Sequence, residues 1–337
     1  MIPLSSASWQ AAAWQAELAQ AISDPADLLT TLELAPELLP PALASAKDFS
    51  LRVPRGYVAR MQKGNPHDPL LRQVLPVGEE RFIVPGFTDD AVGDLAAMTV
   101  PGLLHKYHGR VLLVTTGACA VHCRYCFRRH FPYSSANPGA QQWAAAIEYI
   151  SADASIREVI LSGGDPLSLT DQRLQSLVNR LERISHLKYL RIHTRLPIVL
   201  PERVYDGLLS WLTGTRLKSI MVVHANHANE IDDSVRHALS QLTASGVTLL
   251  NQSVLLRGVN DSAQALVALS EALFDAGVTP YYLHLLDRVN GAAHFEVAAA
   301  RACQIMDQLR ASLPGYLVPR LVREQPGENS KQAVFSA

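Results

Sequence analysis

The chain has 337 residues, 48% hydrophobic and 18% charged, which is enough apolar surface for one large or two ordinary folded domains and argues against a disordered chain. Its formal net charge of −1 excludes a nucleic-acid footprint spread over the whole surface. Four cysteines, three of them within eight residues, do not make a disulfide framework and point to a reducing compartment.

The N-terminus, Met1-Ile-Pro-Leu-Ser-Ser, lacks the basic-then-apolar layout of a signal peptide. No apolar run approaches the roughly 18 residues of a membrane span, so a cytoplasmic protein without membrane contact is expected. Residues 1–50 read as helices. Ser8–Ile22 sets Trp9, Ala12, Ala13, Leu18 and Ile22 near one stripe, with Ser8 as N-cap and Asp24-Pro25 as the stop. A second pattern, Leu28–Leu39, is interrupted by Pro36. Trp9 and Trp14 are expected in core or interface packing. Residues 51–105, rich in Pro and Gly, read as a wrapping segment or an oligomer contact.

From about residue 108 short apolar runs alternate with helical patterns. The strand candidates are Val111–Thr115, Glu158–Leu161, Tyr189–His193, Ser219–His224, Thr248–Leu255 and Pro280–Leu285. Between them lie the helical patterns Gln141–Ser151, Asp171–Ile184, Glu202–Leu212, Asp232–Ala244 and Ala263–Ala276. The alternation predicts an α/β fold with a parallel sheet, and six repeats make a partial (β/α)6 TIM-like barrel. A last helix, Glu296–Leu313, leads to a strand-like run, Leu317–Val322, and a tail. The expected division is a helical or irregular region 1–105, a barrel 106–290 and a C-terminal segment 291–337.

The first strand runs into Gly117-Ala-Cys119-Ala-Val-His-Cys123-Arg-Tyr-Cys126, three thiols at spacing CxxxCxxC. Soft sulfur ligands suit iron–sulfur clusters or zinc. A closed zinc site or a fully protein-ligated [4Fe-4S] cluster would want four donors, and the motif supplies three. A structural zinc knot is the plain alternative. The spacing resembles that of the radical S-adenosylmethionine (SAM) superfamily. The resemblance implies that Cys119, Cys123 and Cys126 hold three irons of a [4Fe-4S] cluster and that SAM chelates the fourth. In parallel barrels catalytic groups gather where strands end, as this loop does. Ser162-Gly163-Gly164-Asp165 follows the second strand. Paired glycines let a ligand approach the backbone, and the resemblance makes this turn the receiver of SAM's methionyl part.

A closer resemblance, over residues 95–331, is to the lysine 2,3-aminomutase family. Its carriers include Leu104-His-Lys-Tyr-His-Gly-Arg110, Cys126-Phe-Arg-Arg129, His224-Ala-Asn-His-Ala-Asn-Glu230, the long run Asn251–Asp261, Pro280-Tyr-Tyr-Leu-His and Gly291-Ala-Ala-His-Phe295. The resemblance implies pyridoxal 5′-phosphate (PLP) as a further cofactor. Its lysine would be Lys331, which follows Pro326-Gly at the family's distance, though with Glu-Asn-Ser between them where the family has more glycine. Lys106, Tyr107 and Arg110 are the candidates for the phosphate, and His224 and Gln252 for SAM. Arg128 would pair with the substrate carboxylate, with Arg129 its local competitor. Asp287 and Glu324 would hold the distal ammonium of L-lysine.

The extra cysteines by which catabolic members bind zinc are missing, with Ser262 at one such position and Cys303 alone. Length, N-terminal helix and Leu51-Arg-Val-Pro-Arg-Gly-Tyr57 resemble the branch that makes (R)-β-lysine for modification of elongation factor P by a separate ligase. The implied partners are therefore L-lysine, a flavodoxin- or ferredoxin-type reductant, elongation factor P with its ligase, and a second copy in a homo-oligomer. An aminomutase acting on glutamate or another amino acid, or a non-catalytic iron–sulfur protein, are the competing readings.

Overall fold

A computed structural model describes residues 6–136 and 143–335. One sheet of ten strands runs in chain order: β1 (Met98–Val100), β2 (Leu103–Tyr107), β3 (Arg110–Thr116), β4 (Glu158–Gly163), β5 (Tyr189–Thr194), β6 (Lys218–Val223), β7 (Thr248–Val254), β8 (Thr279–His284), β9 (Arg320–Arg323) and β10 (Gln332–Ala333). Strands β3 to β9 are parallel, and the antiparallel pairs β1/β2, β2/β3 and β9/β10 flank them. The two ends of this order do not pair with each other, so the barrel is partial.

Alternation along the strands sorts side chains by face. Val111, Leu113, Val159, Leu161, Leu190, Ile192, Met221, Val223, Leu249, Leu283 and Leu321 are buried on the outer face in one continuous core. They pack under the helices Asp171–Leu181, Asp233–Ala244, Ala263–Asp275 and Ala299–Ser312. A fully buried aliphatic of this kind contributes about 1.5–3 kcal/mol. The alternate set, with Leu112, Arg191, His193, Ile220, Leu250, Gln252 and Val254, stays half-exposed and lines the interior. The layer towards solvent is thus closed, while the side chains lining the inside of the barrel stay partly accessible.

Helix starts follow local chemistry. Asp24, Asp232 and Ser262 each accept from a backbone N–H of the first turn, and Pro25 sits where its missing donor costs nothing. The first helix, Ser6–Ala19, begins ahead of Ser8, so the expected cap lies inside it. Trp14 is buried under the Arg203 guanidinium, whereas the Trp9 side chain and Gln141 lie outside what is described. Residues 51–105 do wrap: Leu51, Val53, Tyr57, Leu70, Leu71 and Val74 are buried in the main core. The same stretch ends in β1 and the start of β2, strands its composition does not announce, and one sheet therefore passes through all three expected regions. Thr88 crosses to the far side of the barrel, pairing with Val289 through Asn290 N–H to Thr88 O at 3.0 Å.

Candidate active site

β3 ends at Thr116 and the chain turns at once onto the β4 loop. Gly164 N–H donates to Thr116 O at 2.7 Å and Asp165 N–H to Ala118 O at 2.8 Å. A Cβ on Gly163, whose φ is +122°, would lie 2.6 Å from Thr116 O, and one on Gly164 would collide with the Ala118 carbonyl. The glycine pair is thus required by the seat of the cysteine loop itself, a reason the sequence reading does not give. Asp165 is fully used: its carboxylate accepts from Leu167 N, Thr194 Oγ1, Arg195 N and Leu196 N at 2.7–3.2 Å. It ties the β4 loop to the end of β5, with both carboxylate oxygens engaged in these bonds.

Cys119, Cys123 and Cys126 are free thiols, half-buried, on this one loop. Burial pushes the Cys119 thiol up, and burial and the neighbouring Cys123 push Cys126 up to about 11, so these groups would ionise only beside a compensating cation. Among the described residues no three His, Cys, Asp or Glu side chains already form a cage for a metal ion. His122 bonds Ser50 O at 2.9 Å, and His130 faces Asn290 O, so neither ring serves the cysteines.

Behind the loop, Arg195 Nη1 donates to Cys123 Sγ at 2.7 Å. Tyr125 OH meets His224 Nε2 at 3.0 Å and stacks on its ring, with Asn226 Nδ2 2.7 Å from the phenol. Burial and the charge of Arg195 lower His224 to about 3, which keeps it neutral. Gln252, on β7, lies opposite Tyr282 and is half-buried.

On the other side of the interior a chain of charges joins five residues. Arg128 Nε donates to Asp94 Oδ2 at 2.6 Å and its Nη1 to Ser162 Oγ at 3.0 Å. Asp94 also pairs with Lys106 Nζ at 2.6 Å. Lys106 in turn reaches Glu324 at 3.0 Å, and Glu324 holds Lys331 Nζ at 2.5 Å. Burial works to raise Glu324, but Lys331 and Lys106 outweigh it and hold the carboxyl at about 2. Burial likewise opposes ionisation of Asp94, and Arg128 and Lys106 outweigh it. Lys106 belongs to β2 and Glu324 follows β9, so this seam closes with side chains the gap that backbone pairing leaves open. Tyr107 and Arg110 face each other across the β2–β3 turn, guanidinium over ring at 4.8 Å.

Asp287, after β8, has no ion-pair partner of its own among the described residues. Burial, then Glu324, raises it to about 7. His193 at the end of β5 and His284 at the end of β8 each bury an Nε2 that finds no partner among the described residues, and the Lys331 charge acts on both rings. A buried orphan donor or acceptor costs about 1–3 kcal/mol, so these two point to a polar ligand beside Lys331. Arg129, the alternative to Arg128, is spent on Glu80 and Gly291 O.

The sequence-derived residues therefore gather on two walls of one interior. Cys119, Cys123, Cys126, Ser162, Gly163, Gly164 and His224 lie on one, and Lys106, Tyr107, Asp287, Glu324 and Lys331 on the other. Arg128 spans between them through Ser162 and Asp94. Sequence reasoning misses Asp94, Arg195, Gln73 and Glu230. The last lies inside a quoted motif, but nothing in its neighbours marks it as buried.

Residues 113–210 match the model of the Radical SAM superfamily. Over 319 residues the chain is 53% identical to the L-lysine 2,3-aminomutase of Escherichia coli (strain K12), covering 94% of this chain and 93% of that protein. It is 50% identical to the L-lysine 2,3-aminomutase of Haemophilus influenzae, covering 94% of each. The longer L-lysine 2,3-aminomutase of Acetoanaerobium sticklandii is 36% identical over 83% of this chain and 67% of its own length. A solved radical SAM methyltransferase from Sphaerobacter thermophilus is 17% identical, with TM-score 0.46 over 66% of this chain and 68% of that one.

Proposed function

The chain belongs to the lysine 2,3-aminomutase family of radical SAM proteins, and from that premise we propose that it moves the α-amino group of L-lysine to Cβ, giving (R)-β-lysine, with a [4Fe-4S] cluster, SAM and PLP as cofactors. The observation that carries this reading is the charged seam that runs from Lys331 through Glu324, Lys106 and Asp94 to Arg128, two residues past the last of three free thiols.

The donor set suits the cofactors. Three free thiols on one loop are ligands for an iron–sulfur cluster that leaves one iron for SAM. A primary amine on the cavity wall, with unpaired imidazoles beside it, suits an aldehyde cofactor. When bound, the cluster and SAM supply a radical that removes hydrogen from the substrate's Cβ, and PLP supplies the group through which nitrogen passes from Cα to Cβ. The protein's own part is recognition and alignment. Arg128 presents a planar guanidinium to the substrate carboxylate: Asp94 holds it by Nε and Ser162 Oγ accepts from Nη1, while Nη2 has no partner among the described residues. Glu324 already grips two primary ammonium groups, those of Lys331 and Lys106, and its Oε2 becomes free for the substrate's when Lys331 is engaged. Asp287, near neutrality and without an ion-pair partner, supplies the second acid to that ammonium. Tyr107 and Arg110 lie beside Lys106 at the basic edge proposed for a phosphate, and Lys106, whose Nζ is held by Asp94, Glu324 and Val92 O, must give up one of these to reach it. Ser162, Gly163, Gly164, His224 and Gln252 line the side from which SAM approaches. The half-buried interior keeps the reacting carbon out of bulk water.

The wider reading places the enzyme as a homo-oligomer in the cytoplasm, fed electrons by a flavodoxin- or ferredoxin-type protein. Its product would serve a ligase that modifies elongation factor P. No helix among the described residues is long and apolar enough to cross a membrane.

Borohydride treatment of protein mixed with PLP, followed by peptide mapping, tests the central residue. The expected result is a phosphopyridoxyl mass on Lys331 that vanishes in Lys331→Ala. Labelling spread over surface lysines, with Lys331 unmodified, overturns the assignment.

A further inference from the structure

Arg195 is a buried arginine whose position is over-determined. Its backbone N–H is fixed by Asp165 at 2.7 Å, just past the end of β5. Its Nη2 donates to Gln73 Oε1 at 2.6 Å, Glu230 Oε2 at 2.9 Å and Tyr57 OH at 3.1 Å. The Tyr57 and Tyr125 rings lie 5.5 and 5.7 Å from the guanidinium carbon. With that side of the guanidinium anchored, Nη1 is delivered to one atom, Cys123 Sγ, at 2.7 Å. Among the described residues no side chain donates to the other two cysteines. The arrangement brings Gln73 from the wrapping segment, Glu230 from beyond β6 and Arg195 from β5 to bear on one sulfur.

We propose that Arg195 is a positioning residue for the metal cluster, holding the Cys123 thiolate by a charge-assisted hydrogen bond and setting the cluster's reduction potential. The proposal rests on the reading of Cys119, Cys123 and Cys126 as cluster ligands. A donor and a positive charge on a ligating sulfur draw electron density from the iron it binds, so reduction becomes easier. Glu230 keeps the buried guanidinium from being an isolated charge, at the cost of muting that field. Cys123 is the one cysteine held by a side chain among the described residues, whereas Cys126 takes the backbone N–H of Arg128.

The test uses reconstituted full-length protein without SAM, comparing midpoint potentials by spectroelectrochemistry. Arg195→Met/Glu230→Gln removes both charges of the buried pair together and so keeps the net charge. Its cluster is expected at a more negative potential than wild type, with Arg195→Lys in between. Wild-type protein with arginine labelled with 15N at the guanidinium nitrogens alone is expected to show a nitrogen coupling to the reduced cluster by pulsed electron paramagnetic resonance, lost in Arg195→Lys. Unchanged SAM-free potentials in both variants, at full iron and sulfide content, overturn the proposal. So does the absence of any arginine coupling in wild type, a measurement that needs no variant to fold. A drop in SAM affinity with unchanged SAM-free potential would make Arg195 a cofactor-binding residue instead. Failure of the wild type to bind iron overturns the reading of the cysteines, and this proposal with it.

Discussion

Glu324 and Asp287 are two carboxylates in one electrostatic neighbourhood with opposite protonation. Glu324 sits at about 2 because two lysines hold it, and Asp287 at about 7 because burial and Glu324 oppose its charge. A raised carboxyl contributes stability at low pH that is lost as pH rises through the folded value, here near 7. Binding a substrate ammonium reverses the preference, since only the carboxylate attracts it. Lysine binding should therefore tighten from pH 6 to 8, by up to about tenfold per unit below the midpoint, and Asp287→Asn should flatten the profile. Steady-state KM against pH reads this, and a profile identical in wild type and variant removes Asp287 from the ammonium site. Asp94 is the other decisive residue. Asp94→Asn leaves Arg128 without its counter-ion and Lys106 with Glu324 alone, and breaking a buried pair costs about 3–5 kcal/mol. The expectation is a KM for lysine raised roughly tenfold or more, which the charge-conserving Asp94→Glu partly restores.

At the scale of elements, the cysteine loop stands on the Gly163-Gly164 turn. Gly164→Ala puts a methyl group against the Ala118 carbonyl and must displace the loop. Iron and sulfide per chain after anaerobic reconstitution should fall well below wild type, and full incorporation would show that the loop tolerates the push. Strands β3 to β8 and their helices are legible in the sequence because periods of 2 and 3.6 alternate there and Gly or Pro punctuates them. The elements from 51 to 105 are not. Gln73, Glu80 and Asp94 are isolated polar residues in irregular chain, where no period distinguishes a buried anchor from a solvated side chain. Gly163-Gly164 and Lys331 are legible only as motifs. Ala118, on which Gly164 closes, becomes visible only when distant segments meet, whereas Glu324 is named from the sequence but as a partner of the substrate ammonium rather than of Lys331.

In the whole molecule, charge does what backbone pairing leaves undone. The seam from Arg128 to Lys331 joins the β2 and β9 sides of an open sheet through the same residues proposed to bind substrate and cofactor. A second buried cluster, Arg124 and Arg129 on Glu80, fastens the wrapping segment to the cysteine loop. Glu80→Ala should cost about 3–5 kcal/mol by stranding two guanidinium groups. A lowered unfolding midpoint in denaturant, at unchanged slope, is the expected reading, and an unshifted midpoint would mean the wrap is held by its apolar contacts alone. The measurement that tests the account most directly is the product formed from L-lysine carrying 15N at the α-amino group, with SAM, PLP and a strong reductant under anaerobic conditions. The expected product is (R)-β-lysine with the label on Cβ. Lysine recovered unchanged from a protein with a full cluster, or a product whose label remains on Cα, would contradict it.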